Sequence, residues 1–374
     1  MLLQRFLIRL LTMAITLFGV AVVVFIVIRV PAGGPPGRVV GAPPPPRPNP
    51  RRGARGGGGG GAVLLARGGA RAARRAWWGP PGATDADIAR LRALYGLDKT
   101  IVQQFFIWLA GVVRGDFGTS ISLRQDVLGL VFNRLPATLE LAIVALVMAL
   151  AIGGTTAILG ARERGTAVEA GIDIASGAAL SIPDFLWGLV LILLFGVLVP
   201  IFDISGRVSP QLDLPFATQF YLFESIVRLR FDLTRDLLAH MLMPAIALAL
   251  PLAAIISQLL KQSLKEVLDL DYVVLARVKG FSETQVILRE ALKNAALPTL
   301  TLVGVQFTFL IGGTVIVERL FSYEGLGNMA IDAVINRDLP LIQGIVLVFA
   351  LLFVLINLAV DMMYALLNPR LRHG

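Results

Sequence analysis

Long apolar runs separated by short basic segments dominate the chain. Each run reaches the length of roughly 20 helical residues that a bilayer crossing takes. The pattern predicts membrane-spanning helices over residues 6–30, 135–160, 168–199, 241–260, 297–317 and 341–366. The third run is too long for one straight helix and contains Pro183, so we expect a kink or a break near Ser181 and Ile182.

The stretch between the first and second runs predicts two other kinds of structure. Residues 31–82 are rich in Pro, Gly and Arg and cannot bury enough apolar surface to offset chain entropy. We therefore expect a disordered external insertion there. Residues 83–134 predict external amphipathic helices, one over 84–97 and one over 101–113, which are too short to span and lie at the membrane surface.

Basic residues mark one side of the predicted membrane domain. Lys and Arg collect at the cytoplasmic ends of spans, which places both termini in the cytoplasm. The basic residues on that side are Arg5, Arg9, Arg162, Arg164, Lys261, Lys265, Arg277, Lys279, Arg289, Lys293, Arg370 and Arg372. The predicted fold is an all-α membrane protein with six transmembrane helices and cytoplasmic N- and C-termini. It divides into a first transmembrane helix (1–30), an external insertion (31–82), external amphipathic helices (83–134) and a transmembrane domain (135–372). The cytoplasmic loop at 266–296 belongs to this last unit.

Composition supports a membrane protein and limits its chemistry. Hydrophobic residues make up 56% of the chain and charged residues 16%, which is too little charge for a soluble surface. The net charge of +9 would suit nucleic-acid binding, but basic span ends account for it, so no nucleic-acid partner is predicted. The chain has no cysteine and two histidines far apart, so no metal site is predicted. The sequence Gly160-x-x-x-x-Gly165-Thr166 lacks the lysine of a phosphate-binding loop, so ATP hydrolysis is not expected in this chain.

The loop between the fourth and fifth runs has a regular pattern of its own. Residues 265–279 predict an amphipathic helix, and Gly280 follows as glycine does just past a helix C-terminus. Ser282, three residues before Gln285, forms a capping box for a second short helix that leads to Pro298, where the fifth span begins. We predict a rigid helix–glycine–helix elbow outside the membrane, and such stiffness suits a part that transmits force.

The elbow and several other segments resemble a known family. The matching motifs are Gly115-Asp116-Phe117-Gly118, Leu135-Pro136-x-Thr138-Leu139-Glu140-Leu141, Asp271-Tyr272-Val273-x-x-Ala276-Arg277-x-Lys279-Gly280, Leu288-Arg289-x-Ala291-Leu292-x-Asn294-Ala295-x-Leu297-Pro298, Val317-Glu318-x-x-Phe321-Ser322-x-x-Gly325-Leu326-Gly327, Asn336-Arg337-Asp338-x-Pro340 and Asp361-x-x-Tyr364. They are similar to those of the dipeptide and oligopeptide (peptide/nickel) ABC importer permeases, which are type I import permeases. The resemblance covers the first span and about residues 83–372, whereas 31–80 have no counterpart in the family pattern.

The resemblance implies a multi-pass permease of the bacterial inner (plasma) membrane, with no enzymatic activity of its own. It would form half of the translocation path for short peptides. Its coupling-helix elbow would dock on a separate ATPase through Asp271, Tyr272, Val274, Leu275, Ala276, Arg277, Lys279, Gly280 and Ser282. The implied partners are a homologous second permease, two ATPase subunits, an external substrate-binding protein and membrane lipid. ATP and Mg²⁺ would be bound by the partner ATPase, with no cofactor in this chain.

Polar residues inside spans are costly and often mark a transport path, although they also bridge helices. The candidates for the translocation path are Glu140, Gln258, Gln306 and Thr308. Two alternatives to an importer remain open. An ion-coupled secondary transporter or a channel explains six spans but not the elbow. An intramembrane protease would require Ser176 and His240 to lie within hydrogen-bond reach of each other.

Overall fold

A computed structural model describes residues 2–29 and 100–367. Within these two ranges the chain forms helices and connecting turns, without a β-strand. The helices are α1 (Leu2–Arg29), α2 (Ile101–Val113), α3 (Val127–Arg162), α4 (Ala167–Ser181), α5 (Asp184–Leu198), α6 (Tyr221–Val227), α7 (Phe231–Leu268), α8 (Asp271–Val278), α9 (Glu283–Leu320), α10 (Leu326–Ile335) and α11 (Leu339–Leu367). The predicted insertion over 31–82 and the predicted helix over 84–97 lie outside the described residues, whereas α2 confirms the helix predicted over 101–113.

The described ranges contain four or five candidate membrane spans. Helices α3, α7, α9 and α11 are long and apolar enough to cross a membrane, and α4 with α5 forms a fifth candidate bent by 102°. Ile182 is extended and Pro183 precedes α5, so the predicted break is confirmed. Where the first span is predicted, α1 contains the shorter apolar helix Leu11–Val27.

Several helices run well past the predicted spans. Helix α3 begins at Val127 and α7 at Phe231, before the predicted ranges 135–160 and 241–260. Helix α7 has 38 residues. At 1.5 Å per residue this is about 57 Å, whereas the hydrocarbon core of a bilayer is about 30 Å thick. The length of an apolar run reflects only the part of a helix that lies in the hydrocarbon layer. The helices are longer than the runs because their backbone hydrogen bonds continue outside that layer.

Two details of the predicted elbow are wrong. The helix predicted over 265–279 is two helices, because Asp269 ends α7 and the extended Leu270 precedes α8. The second elbow helix is not short either. Helix α9 continues from a π-helical turn at Val286–Ala291 through Pro298 and onward as the fifth span. Proline removes one backbone donor, and a long packed helix can keep its remaining hydrogen bonds around it.

Small residues let α3 and α7 approach each other closely. A Cβ on Gly153 would lie 2.5 Å from the carbonyl oxygen of Ala253 in α7, so only glycine fits there. Faces of small residues are a common way for membrane helices to pack. The buried face of α3 consists largely of such residues, spaced three to five apart: Ala137, Ala142, Ala145, Ala149, Gly153, Ala157 and Ala161.

Apolar clusters lie at both ends of α3. The end that carries the elbow, here called the elbow end, joins α3, α7, α8 and α9 through Ala157, Ala161, Leu264, Val273 and Ala291. The other end, here called the opposite end, joins α3, α10 and α11 through Val127, Val131, Leu326 and Leu341. Helix α1 packs beside α2 and α11 through Phe25, Phe105 and Leu347.

At the opposite end, a buried carboxylate holds the first turn of α10. Glu318, near the end of α9, accepts a hydrogen bond from the Thr138 hydroxyl at 2.6 Å and one from the Asn328 N–H at 2.9 Å. The Thr138 hydroxyl in turn accepts a hydrogen bond from the Leu326 N–H at 2.8 Å. A helix N-terminus favours a hydrogen-bond acceptor because its first N–H groups lack partners within the helix. Glu318 therefore connects α3, α9 and α10.

The two glycines beside this carboxylate are required by space. A side chain on Gly325 would overlap the carboxylate of Glu318. A Cβ on Gly327 would lie 2.6 Å from the Cα of Val315 in α9. The spacing of Glu318, Gly325 and Gly327 in the sequence motif thus reflects the close approach of α10 to α9.

A second buried carboxylate fastens the segment before α3 to the start of α11. Asp338 accepts hydrogen bonds from the hydroxyls of Ser120 and Ser122, each at 2.6 Å, and from the Ser122 N–H at 2.9 Å. Burial by itself raises the pKa of Asp338, but these hydrogen bonds outweigh it and hold the pKa below the ordinary 3.8. The ionised carboxylate therefore stabilises the fold at neutral pH.

Replacement of Gly327 by alanine tests the close approach of α10 to α9. We expect Gly327→Ala to lower the free energy of unfolding by about 2 kcal/mol, because the new methyl group meets backbone. Gly312→Ala in α9 is the control, since nothing lies within 4 Å of a Cβ at that position. Thermal unfolding of the detergent-solubilised protein measures both variants, and equal stabilities would contradict the close approach.

The pH dependence of Asp338→Asn tests the second carboxylate. At neutral pH we expect this variant to be about 2 kcal/mol less stable than the wild type, because hydrogen bonds to a charged group are lost. The folded-state pKa of Asp338 is lowered, so its contribution is present above the unfolded pKa and is lost as pH falls through the folded pKa. The stability difference should therefore shrink below about pH 4.

The control for this measurement is Asp332→Asn, which removes an exposed ion pair to Arg319 and should have little effect on stability. Thermal unfolding followed from pH 7 downward supplies the data. A difference between wild type and Asp338→Asn that stays constant to the lowest pH reached below 4 would contradict the assignment.

Candidate functional site

A glycine turn ends α8 at the elbow. The Gly280 N–H donates to the Arg277 carbonyl at 2.9 Å, and the Phe281 N–H donates to the Ala276 carbonyl at 3.3 Å. These are the two bonds of a Schellman motif, which places a left-handed residue after the helix. Gly280 has φ +85°, and nothing lies within 4 Å of a Cβ there. Backbone conformation, and not lack of space, requires this glycine, and the prediction that it ends the helix is confirmed.

Local hydrogen bonds make the elbow rigid. The Ser282 hydroxyl accepts from the Gln285 N–H at 3.4 Å and the Gln285 side chain accepts from the Ser282 N–H at 3.1 Å, which confirms the predicted capping box. The Arg277 guanidinium donates to Glu283 at 2.8 Å and to the carbonyl of Leu268 at 3.1 Å. Arg277 thereby connects the last turn of α7, α8 and the first turn of α9.

Helix α8 has a buried face and an exposed apolar face. Val273 and Ala276 are buried in the cluster at the elbow end. The apolar side chains on the other face, and Phe281 just past the end of the helix, are exposed. We call this set the elbow surface: Tyr272, Val274, Leu275, Val278 and Phe281. Exposed apolar patches with a polar rim mark interaction sites. The exposed polar neighbours of this patch are Asp271, Lys279 and Ser282.

The structure brings the predicted coupling residues together, with differences in exposure. Ala276 is buried and Arg277 is half-buried, whereas the other predicted residues of this set are exposed. The Tyr272 hydroxyl accepts a hydrogen bond from the Asn294 side chain at 2.7 Å. Val278 and Phe281 share the elbow surface but were absent from the predicted set. For Val278, its position one helical turn after Val274 is the signal that points to it.

The four predicted translocation-path residues lie apart. Gln258 is exposed on α7, Gln306 is half-buried on α9, and Thr308 is buried and bonds to the carbonyl of Gly304 in its own helix. Glu140 is buried in α3. Among the described side chains, no hydrogen bond or ion pair joins any two of these four. Their position along a path stays a prediction.

Glu140 forms a buried ion pair that the sequence did not indicate. Arg207 donates to the Glu140 carboxylate at 2.7 Å and to the Gln219 carbonyl at 2.7 Å, and its guanidinium lies 4.0 Å from the ring centroid of Tyr221. The second carboxylate oxygen of Glu140 accepts from the Phe223 N–H at 3.0 Å. This carboxylate therefore holds α6 and the segment before it against α3. Local sequence patterns contain no signal for Arg207, because its partner is distant in the chain.

Four charged side chains meet at the elbow end. Lys261 and Lys265 of α7 face Glu169 and Asp173 of α4; we call these four residues the lysine cluster. Lys261 pairs with Asp173 and lies 3.5 Å from Glu169, and Lys265 pairs with Glu169. Each pair of like charges is spaced four residues apart and therefore shares a helix face. That spacing is readable from the sequence, whereas the pairing of α4 with α7 is not.

The protease alternative fails on geometry. Ser176 lies on α4, one turn beyond Asp173, which pairs with Lys261 of α7. His240 lies near the other end of α7, about 20 residues or roughly 30 Å from Lys261. His240 instead contacts the backbone carbonyl of Asp236 at 2.9 Å. Ser176 and His240 are therefore too far apart for a hydrogen bond, so a Ser176–His240 nucleophile is excluded.

Comparison with known proteins identifies the family. Residues 149–373 match the family described as binding-protein-dependent transport system inner membrane component. The dipeptide transport system permease protein DppB of Escherichia coli is 38% identical over 301 residues, covering 79% of this chain and 88% of that protein. The di/tripeptide permease DppB of Pseudomonas aeruginosa is 36% identical over 278 residues, with coverages of 74% and 83%. The oligopeptide permease AppB of Bacillus subtilis is 33% identical over 294 residues, with coverages of 78% and 87%.

These matches confirm the resemblance that the motifs indicated. They extend over most of the chain and over most of each relative, and they include the elbow, α9 and the bent pair of helices. The chain therefore belongs to the family of binding-protein-dependent transport system inner membrane components.

Proposed function

We propose that the chain is the permease subunit of an ATP-driven importer of short peptides and forms half of the translocation path. The names of the relatives, which transport dipeptides, tripeptides and oligopeptides, support this substrate class. The observation that carries the proposal is the elbow surface. It presents exposed apolar side chains on a rigid helix whose other face is buried against α3, α7 and α9.

A separate ATPase subunit docks against the elbow surface. Tyr272, Val274 and Leu275 supply the apolar contact. The polar rim is formed by Asp271, Lys279 and Ser282. Ala276 and Arg277 position α8 from its buried side and Gly280 sets the angle between α8 and α9. ATP and Mg²⁺ bind to the partner ATPase subunits, and closure of the ATPase dimer pushes on the elbow.

The full topology and assembly are part of the same proposal. Six helices cross the membrane and both termini lie in the cytoplasm, as the distribution of Lys and Arg favours. The elbow end is then cytoplasmic and the opposite end external. A homologous second permease completes the path, two ATPase subunits drive it, and an external substrate-binding protein delivers the peptide.

An ion-coupled secondary transporter or a channel is the competing function. Either would use the same spans, but neither needs an exposed apolar helix held rigidly at one end of the bundle. The continuity of α9 from the elbow into the fifth span also favours an ATP-driven importer, because force applied at Glu283 acts directly along that helix.

Substitutions at Gly280 test the coupling role. Gly280→Val places a β-branched residue at φ +85°, a conformation that costs L-residues about 1–2 kcal/mol, so we expect the elbow to change its angle. ATP-driven uptake of a radiolabelled dipeptide into proteoliposomes containing the complete transporter should fall about tenfold. Co-purification of the ATPase with the permease should weaken in parallel.

Gly280→Asn is the matched control, because asparagine tolerates the left-handed conformation and space is open at this position. It should retain most of the uptake. If Gly280→Val keeps both ATPase binding and ATP-driven uptake, the coupling role is refuted. Dipeptide uptake by the permease without any ATPase would instead favour the secondary transporter or channel.

A further inference from the structure

Helix α4 contacts the rest of the protein through buried polar side chains. Its two buried residues are Glu169 and Ser176, both polar. Of its larger apolar side chains, Val168, Ile174 and Leu180 are exposed, whereas Ile172 is half-buried beside Gly160 of α3. The lysine cluster supplies the ion pairs that join α4 to α7.

The lysine cluster is built into the fold. The Lys261 side chain is 9% exposed, and a Cβ on Gly160 of α3 would lie 2.8 Å from its Cδ, so the glycine makes room for the lysine stem. The cluster contains two positive and two negative groups. Removal of one partner leaves an uncompensated charge in a partly buried place, which is strongly unfavourable. By contrast, the nearby Arg164–Asp269 pair is exposed on both sides and contributes little.

The cluster lies between the elbow and the break in the third span. Lys261 and Lys265 occupy the last two turns of α7, directly before α8. Glu169 and Asp173 lie on α4, which ends at Ser181, where the chain bends by 102° into α5. The apolar cluster at the elbow end contains residues of α3, α7, α8 and α9 but none of α4. Besides the turn at 163–166, which joins α4 to α3, these ion pairs offer a direct route by which a displacement of the elbow reaches α4.

We propose that Lys261 is a positioning residue for transport: by pairing with Asp173 and Glu169 it makes α4 move with the elbow, so that the bend after Ser181 responds to the ATPase. This inference rests on the proposed function, since it names how the driven elbow reaches the third span. Loss of these ion pairs should leave the elbow surface intact and uncouple ATP hydrolysis from peptide uptake.

The test uses the complete transporter in proteoliposomes, with a radiolabelled dipeptide as the probe. In Lys261→Met we expect ATP hydrolysis to continue and uptake per ATP hydrolysed to fall about tenfold. Lys261→Arg keeps the charge and should retain most of the wild-type uptake per ATP hydrolysed. The swapped double variant Lys261→Asp with Asp173→Lys should recover uptake relative to either single change. A merely structural role would lower hydrolysis and uptake together.

Arg164→Gln is the matched control at the same end, because it removes an exposed pair and should leave the ratio unchanged. If Lys261→Met does not assemble, Asp173→Asn decides, since the Asp173 side chain is 50% exposed and tolerates the change. The proposal is overturned if Asp173→Asn keeps the wild-type uptake per ATP hydrolysed and Lys261→Met, where it assembles, does so too.

A second readout does not depend on transport. The chain has no cysteine, so Ser176→Cys introduces a single thiol on the buried side of α4. Alkylation of that thiol by N-ethylmaleimide, followed by mass spectrometry of this chain, should be about tenfold faster in the Asp173→Asn background if α4 loses its attachment. Equal rates would contradict this attachment. If the wild type takes up no dipeptide, the proposed function fails, while this measurement still decides whether the cluster holds α4.

Discussion

The close contact between α3 and α7 is the constraint on which the rest of the structure depends. Gly153 lies against the backbone of Ala253, and a row of alanines extends the contact along both helices. Lipid tails are as apolar as leucine, so helices in a membrane gain little from hydrophobicity and associate through close packing. This contact places α7 in the middle of the described bundle, with the elbow at one end and α6 near the other.

Buried polar groups then fix the segments around this pair. Glu318, Asp338 and the Glu140–Arg207 pair each join parts of the chain that are far apart in sequence. All three serve the opposite end, whereas the lysine cluster serves the elbow end. A buried polar group is costly without its partner, so each of these contacts specifies one arrangement of the helices it joins.

The continuity of α9 matters for how the protein works. A short elbow helix followed by a separate span would contain a joint at Pro298, and a joint absorbs displacement. Helix α9 instead carries the chain from the capping box at Ser282 to Glu318 at the opposite end. Under the proposed coupling, motion of the elbow reaches both ends of the bundle along this one helix, and α4 follows through its charged contacts with α7.

The sequence by itself determined the features that depend on neighbouring residues. Apolar runs located the four or five candidate spans of the described residues, Pro183 located the break, and Gly280 and Ser282 located the end and start of the elbow helices. Each of these follows from backbone geometry and hydrogen bonds within a few residues.

Only the tertiary structure decided the true helix lengths, the turn at Asp269 and the partners of the buried charges. The turn is hidden from periodicity because apolar positions continue on both sides of it. The spacing of Lys261 with Lys265, and of Glu169 with Asp173, was visible in the sequence, yet nothing local says that α4 faces α7. Arg207 and Glu140 are 67 residues apart, and only the folding of the intervening segment over α3 brings them together. Sequence patterns predict the structure of one helix at a time. The partner of a buried charge lies on another helix, so only the packing of the helices identifies it.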